Sequence, residues 1–169
     1  CYDEGKRVAE TLMMDYHRKY GLSIAIIRIF NTYGPNMDNN DGRVISNFII
    51  QALKGEPMTI YGDGTQTRSL CFISDLIRGM FKMMKSNETG PINLGNPDEK
   101  SIKEVAEKIS EFTGSKSEFE YVKLPIDDPL RRKPDISKAK ELLSWEPEVD
   151  FKDGIKRTID FFKLSLENH

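Results

Sequence analysis

An α/β layer structure, with helices packed on a largely parallel sheet, is the fold class this sequence predicts. Three observations carry it. Residues 23–30 form a β-branched apolar run of the kind found where a parallel strand is buried on both faces. Segments with helical periodicity stand on either side of it, and strands and helices go on alternating toward the end of the chain. Turn formers fall between these segments, most densely over residues 31–42, and no stretch reads as an interdomain linker.

The elements follow in order. After Cys1, the residues Ala9, Leu12, Met13, Tyr16 and Tyr20 share one helical face, with Met14 off that stripe, and Gly21 supplies a stop. The strand at 23–30 runs into the turn-rich segment 31–42, a long loop of the kind that usually has a function. Residues 44–53 are helical and end near Gly55 and Pro57. Short strands are expected at 58–61 and 70–73 around a Gly-Asp-Gly turn, then a helix at 74–85 and a strand at 91–94. Ser101-Ile102-Lys103-Glu104 is a capping box, followed by Val105, Ile109 and Phe112 on the face of Ile102. The stretch 113–136 is irregular apart from a strand at 119–122. A short helix is expected at 138–143. A last helix at 151–166 has Asp150 as its N-cap and Ile155, Ile159, Phe162 and Leu166 facing inward.

Composition narrows the function classes. The 169 residues are 31% charged and 38% hydrophobic, with a net charge of −2. That balance builds a core and is not that of a disordered chain. Such a charge gives no reason to expect nucleic acid or an anionic membrane as partner. The longest apolar runs, such as 24–27, are far too short to span a bilayer, and no signal peptide opens the chain. Two cysteines, Cys1 and Cys71, and two histidines, His17 and His169, make neither a disulfide framework nor a metal centre. They suit a reducing, cytoplasmic setting. The chain opens inside a helical pattern with no strand before it, which reads as part of a longer protein.

Tyr2 and Lys6 are four apart at the head of the first helix and share a face. A free phenol, with a pKa of ~10, is a poor base at neutral pH; a neighbouring ammonium favours its phenolate. Such a pair takes the proton of a hydroxyl while hydride leaves the carbon that bears it. The same spacing also occurs in plain surface pairs, so neighbouring segments must decide. Arg28-Ile29-Phe30-Asn31-Thr32-Tyr33-Gly34-Pro35 ends a buried strand in a polar loop. In open α/β sheets, ligands sit beyond the carboxyl ends of strands. Asn31 offers both a donor and an acceptor there. The string Gly62-Asp63-Gly64-Thr65-Gln66-Thr67 lacks the third glycine and the strand-to-helix setting of a dinucleotide fingerprint.

Tyr2 and Lys6 together with the Asn31–Pro35 string resemble the extended short-chain dehydrogenase/reductase superfamily of nucleotide-sugar epimerases, dehydratases and decarboxylases. Five further strings narrow the resemblance: 41–49, 51–57, 93–97, 132–136 and Trp145-Glu146-Pro147. They are similar to those of the UDP-glucuronate decarboxylase (UDP-xylose synthase) family. The likeness covers the whole chain but only the C-terminal half of such enzymes. It implies the C-terminal portion of a Rossmann-type fold, the last sheet strands plus a small substrate-binding lobe, without the half that carries the glycine-rich fingerprint.

The resemblance also implies roles. Tyr2 and Lys6 are catalytic and touch NAD, with Phe30 and Thr32 beside the cofactor. Arg68 and Arg132 clamp the diphosphate of a UDP-sugar, as planar guanidinium forks suit phosphate. Arg132 also stands as a candidate for the sugar carboxylate or for proton donation. Asn31, Arg43, Ser46, Asn47 and Phe48 belong to the substrate site, as do Thr59 and Tyr61, whose backbone can read uracil edges. Phe30 and Phe48 serve equally as core residues, Trp145 closes the last helices on the body, and Cys71 is an inert core thiol. The implied parent reaction is UDP-glucuronate to UDP-xylose and carbon dioxide, in a homodimer paired through the first helix. Two other readings remain open: a dTDP-glucose 4,6-dehydratase or nucleotide-sugar 4-epimerase, and a substrate-lobe fragment that is silent alone.

Overall fold

The computed structural model describes residues 1–124 and 133–167. Helix α1 (Tyr2–Tyr20) leads to β1 (Ile27–Ile29) and β2 (Thr32–Tyr33). Then come α2 (Val44–Lys54), β3 (Met58–Tyr61), β4 (Thr67–Ser69), β5 (Cys71–Phe72) and α3 (Ile73–Lys85). The order closes with β6 (Ile92–Leu94), β7 (Glu99–Ser101), α4 (Ile102–Thr113), β8 (Phe119–Val122), α5 (Ser137–Leu143) and α6 (Phe151–Glu167).

Among the described residues, three of the four strand pairs are parallel: β1 with β6, β2 with β5, and β3 with β8. The fourth, β4 with β7, is antiparallel. Two hydrophobic clusters organise around them. The larger joins α2, α4 and α6 through Phe48, Ile49, Val105, Ile109, Ile155 and Phe162. The smaller joins β6, α3 and α5 through Leu94, Leu76, Met83 and Leu143, with Trp145 just beyond α5. Tyr33 and Phe72 sit edge to face at 5.5 Å in the larger cluster.

Local signals explain the helix ends. Gly21, Gly55 and Gly114 adopt the left-handed conformation that ends α1, α2 and α4. The capping box forms: Glu104 N–H donates to Ser101 Oγ at 3.1 Å, and Ser101 N–H donates to the Glu104 carboxylate at 2.7 Å. Asp150 takes the Lys152 N–H at 2.8 Å ahead of α6. Trp145 is buried, and its indole N–H donates to the Asp75 carbonyl at 2.9 Å. The buried Asp75 carboxylate accepts from Glu148 N–H (3.0 Å), Val149 N–H (2.9 Å) and Arg78 (2.7 Å). One side chain thereby ties α3 to the segment that enters α6. Burial pushes the Cys71 thiol up to about 12, so it stays protonated inside the core.

Several expectations change. The expected strand at 23–30 shrinks to Ile27–Ile29, and Ile29 is exposed where burial on both faces was expected. Among the described residues β1 has a neighbour on one side only, β6. The segment 31–42 opens with a strand, β2, because Thr32 and Tyr33 pair with Cys71 and Phe72. Ile73 starts α3 and does not extend β5. In α1 the residues turned toward the body are Glu10, Met14 and His17, while the stripe of Leu12, Met13, Tyr16 and Tyr20 faces outward. Among the described residues no helix is long and apolar enough to cross a membrane, and no three metal-ligating side chains converge.

Candidate active site

A cavity of about 870 Å³ brings together residues from seven elements, α1, β1, β2, α2, β3, β4 and α4, and from the loops between them. Helix α1 contributes Tyr2, Lys6 and Glu10, successive members of one i, i+4 stripe. Phe30 and Asn31 follow the carboxyl end of β1, and β2 contributes Thr32. Arg43, Asn47 and Phe48 come from the start of α2, and Thr59, Tyr61 and Arg68 from β3 and β4.

Tyr2 is 73% exposed, and Lys6 Nζ lies 5.4 Å from the centre of its ring. Glu10, one turn on, receives two hydrogen bonds from Arg28 of β1, at 2.7 and 2.6 Å. That bonding holds the Glu10 carboxyl below the usual carboxylate range and pushes the Arg28 guanidinium still higher. The Asn31 carbonyl accepts the Cys71 N–H at 2.9 Å, which fixes the backbone and leaves the amide side chain on the cavity. Thr32 donates its hydroxyl to the Phe30 carbonyl at 2.9 Å.

On the α2 side Asp41 shapes the rim. Its carboxylate accepts the Arg43 N–H at 2.9 Å and lies 3.7 Å from the Arg43 guanidinium. Asn47 Nδ2 donates to the Gly42 carbonyl at 3.2 Å. Phe48 lines the cavity and is also a member of the larger core. Ser46 does not line the cavity, contrary to expectation. It is fully buried, and its hydroxyl bonds to Asp41 and to the Arg43 carbonyl, inside the first turn of α2.

The edge of β3 is open toward the cavity. Met58 and Gly62 direct their N–H groups to β8, so the intervening Thr59 and Tyr61 direct theirs to the other edge. Part of that edge is already used, a change from the expected uracil-reading backbone. Thr59 N–H donates to Gln51 Oε1 at 3.1 Å, and Gln66 Nε2 donates to the Tyr61 carbonyl at 2.6 Å. The Thr59 carbonyl and the Tyr61 N–H are the groups left for a ligand. Arg68 is buried, donates to the Thr67 carbonyl at 2.8 Å, and reaches the cavity. Arg132 lies outside the described residues.

The Gly62–Gly64 turn joins β3 to β4 and opens no helix. Its Asp63 carboxylate accepts from Thr65 N–H and Oγ1 at 2.9 and 2.6 Å, a negative charge where an anion cradle needs donors. The Tyr2 hydroxyl and the Lys6 ammonium can donate to a ligand's hydroxyls, and Thr32 Oγ1, with its proton directed to the Phe30 carbonyl, can accept from them. Sequence reading missed Glu10, Arg28 and Gln66. Glu10 had a signal, since it continues the Tyr2–Lys6 stripe. Gln66 had none, because its role is a side chain folded back on the backbone.

The chain matches the GDP-mannose 4,6 dehydratase family over residues 1–158. It is 55% identical to UDP-glucuronic acid decarboxylase 3 of Arabidopsis thaliana over 98% of its length, covering 48% of that protein. It is 52% identical to UDP-glucuronic acid decarboxylase 1 of Xenopus tropicalis over 99% of its length, covering 40% of that one. A UDP-glucose 4-epimerase of Thermotoga maritima, solved with UDP-glucose, matches with a TM-score of 0.92 at 30% identity, over 95% of this chain and 52% of that chain. A UDP-glucuronic acid 4-epimerase of Bacillus cereus, in complex with UDP-glucuronic acid and NAD, matches with a TM-score of 0.85 at 32% identity, over 92% and 50%. The architecture is therefore a portion of a Rossmann-type α/β fold. The chain spans about half the length of the relatives it matches.

Proposed function

The chain belongs to the GDP-mannose 4,6 dehydratase family, and on that premise we propose that it is the C-terminal half of an NAD-dependent UDP-glucuronate decarboxylase. The observation that carries the reading is the single cavity in which Tyr2 and Lys6 meet Arg43, Arg68 and the open edge of β3. A sugar nucleotide needs both ends of such a site, a base for the sugar and cations for the diphosphate. The choice of decarboxylase over epimerase is supported by identities of 50–55% to decarboxylases, against 28–33% to the solved epimerases.

Tyr2 takes the proton of the C4 hydroxyl, and the Lys6 ammonium stabilises the phenolate that accepts it. Tyr2, Lys6, Phe30 and Thr32 would hold NAD on this side, with the N-terminal dinucleotide-binding half of the same protein holding the rest, and the bound cofactor would supply the acceptor and donor of the C4 hydride. The C4 ketone stands β to the carboxylate, so the electron pair of the breaking C5–C6 bond passes into an enolate and carbon dioxide leaves. Protonation at C5 and reduction at C4, with Tyr2 giving back its proton, complete UDP-xylose. Asn31 orients the sugar, the Thr59 carbonyl and Tyr61 N–H read the uracil, and Arg43, Asn47 and Arg68 hold the substrate with Phe48 packed beside them. Arg132 retains its proposed place at the diphosphate or the sugar carboxylate.

The outward stripe of α1 supports pairing of two copies through that helix, and the free thiols of Cys1 and Cys71 support a reducing, cytoplasmic setting for this segment. The test is incubation of the whole protein with UDP-glucuronate and NAD. A product lighter by carbon dioxide supports the reading. A product of unchanged mass with an inverted C4 would replace it with a 4-epimerase.

A further inference from the structure

Helix α1 carries the proposed base, yet it buries none of its residues. Among the described residues one pair of side chains, Glu10 and Arg28, links it by hydrogen bonds or charge to a strand. The bond is a two-pronged fork, and such forks fix direction as well as distance. Its position matters. From Glu10 back to Tyr2 is eight helical residues, a rise of about 12 Å. From Arg28 forward to Asn31 and Thr32 is three or four strand residues, about 10–13 Å. Both runs lie along the lining of one cavity, which includes the pair itself as well as Tyr2, Asn31 and Thr32.

We propose that the Glu10–Arg28 pair is a register pin, which sets how far α1 stands along β1 and so holds Tyr2 level with Asn31 and Thr32. The inference rests on Tyr2 as the proposed base. Both members also line the cavity, but they bond to each other about 12 Å of helix away from Tyr2, so they act through α1 as positioning residues. A slide by one helical turn, about 5.4 Å, would bring Lys6 to the level now held by Tyr2. Much smaller shifts suffice to harm a reaction, because a misplacement of about 1 Å can cost roughly 100-fold in rate.

The test uses Glu10→Ala, Arg28→Ala, the conservative Glu10→Asp and the charge-exchanged Glu10→Arg/Arg28→Glu. In this chain, both alanine variants should raise amide exchange across α1 about tenfold while α4 and α6 keep their protection. In the whole protein, kcat on UDP-glucuronate should fall by about 100-fold with KM within about threefold, as expected when orientation and not binding is lost. Glu10→Asp should fall between, and the exchanged pair should regain part of the loss. Unchanged exchange in α1, or a raised KM with kcat intact, would overturn the pin. If the unaltered whole protein releases no carbon dioxide, the decarboxylase reading fails, and the exchange measurement still decides whether the pair holds α1.

Discussion

Replacing Asp75 should destabilise the chain far more than its lone carboxylate suggests. Its side chain accepts from two backbone N–H groups, of Glu148 and Val149, and from Arg78. Arg78 keeps other partners after the change, the Glu146 carbonyl at 2.7 Å and the Glu148 carboxylate at 2.9 Å. The two N–H groups keep none that the wild-type geometry offers. Leaving each unsatisfied costs about 1–3 kcal/mol, so Asp75→Ala should lose about 2–6 kcal/mol. Both N–H groups bond to one oxygen, Oδ2, so Asp75→Asn can keep both with its amide oxygen there and gives up only the Arg78 bond at Oδ1, a smaller loss than alanine's. Urea unfolding reads this directly. With an m-value of about 2 kcal/mol/M, a 3 kcal/mol loss lowers the midpoint by about 1.5 M. Trp145 bonds to the Asp75 main-chain carbonyl, which either substitution preserves, so the native emission should keep its position. A loss below about 1 kcal/mol for alanine, or a greater loss for asparagine than for alanine, would refute the reasoning.

Tyr2→Phe in the whole protein should lower turnover by about two to four orders of magnitude with UDP affinity kept, measured by product release and calorimetry. Glu104 should make the chain acid-sensitive. Its carboxyl is held low by the Ser101 backbone N–H and side chain, so its contribution is present above the ordinary carboxylate value and is lost as pH falls through the depressed one. Glu104→Gln should therefore flatten the urea midpoint between about pH 5 and pH 3. Cys71, buried with its thiol pushed up to about 12, should resist iodoacetamide at pH 8 while the exposed Cys1 reacts, as read by mass.

Helices were legible wherever local chemistry decides them. Gly21, Gly55 and the Ser101–Glu104 box each end or start a helix by a bond within a few residues. Strands were less so. Thr67-Arg68-Ser69 and Glu99-Lys100-Ser101 carry no apolar alternation, and they pair only because the fold brings them side by side. The stripe of α1 was visible, but which way it faces was not. Periodicity finds an apolar face without saying what covers it. In the site, Tyr2, Lys6 and Asn31 stood out because spacing and residue type coincide. Glu10 and Arg28 did not, since their link crosses from a helix to a strand 18 residues away. Ser46, a polar residue in a substrate string, is buried with its hydroxyl on Asp41 and the Arg43 carbonyl, partners that the string does not reveal.

The parallel ladders have a consequence for how the chain reaches its fold. Ile27 pairs with Ile92 and Met58 with Phe119, so each ladder closes a loop of about 60 residues before its first bond can form. Local helices such as α4, with its own cap and αL stop, can form within microseconds. The sheet cannot, because its pairings are non-local and their closure entropy comes first. Until β6 arrives, the apolar run through Ile26 and Ile27 has unpaired edges on both sides, and in that interval it is a template for association between chains. Refolding yield should therefore fall with protein concentration even where the folded chain is stable.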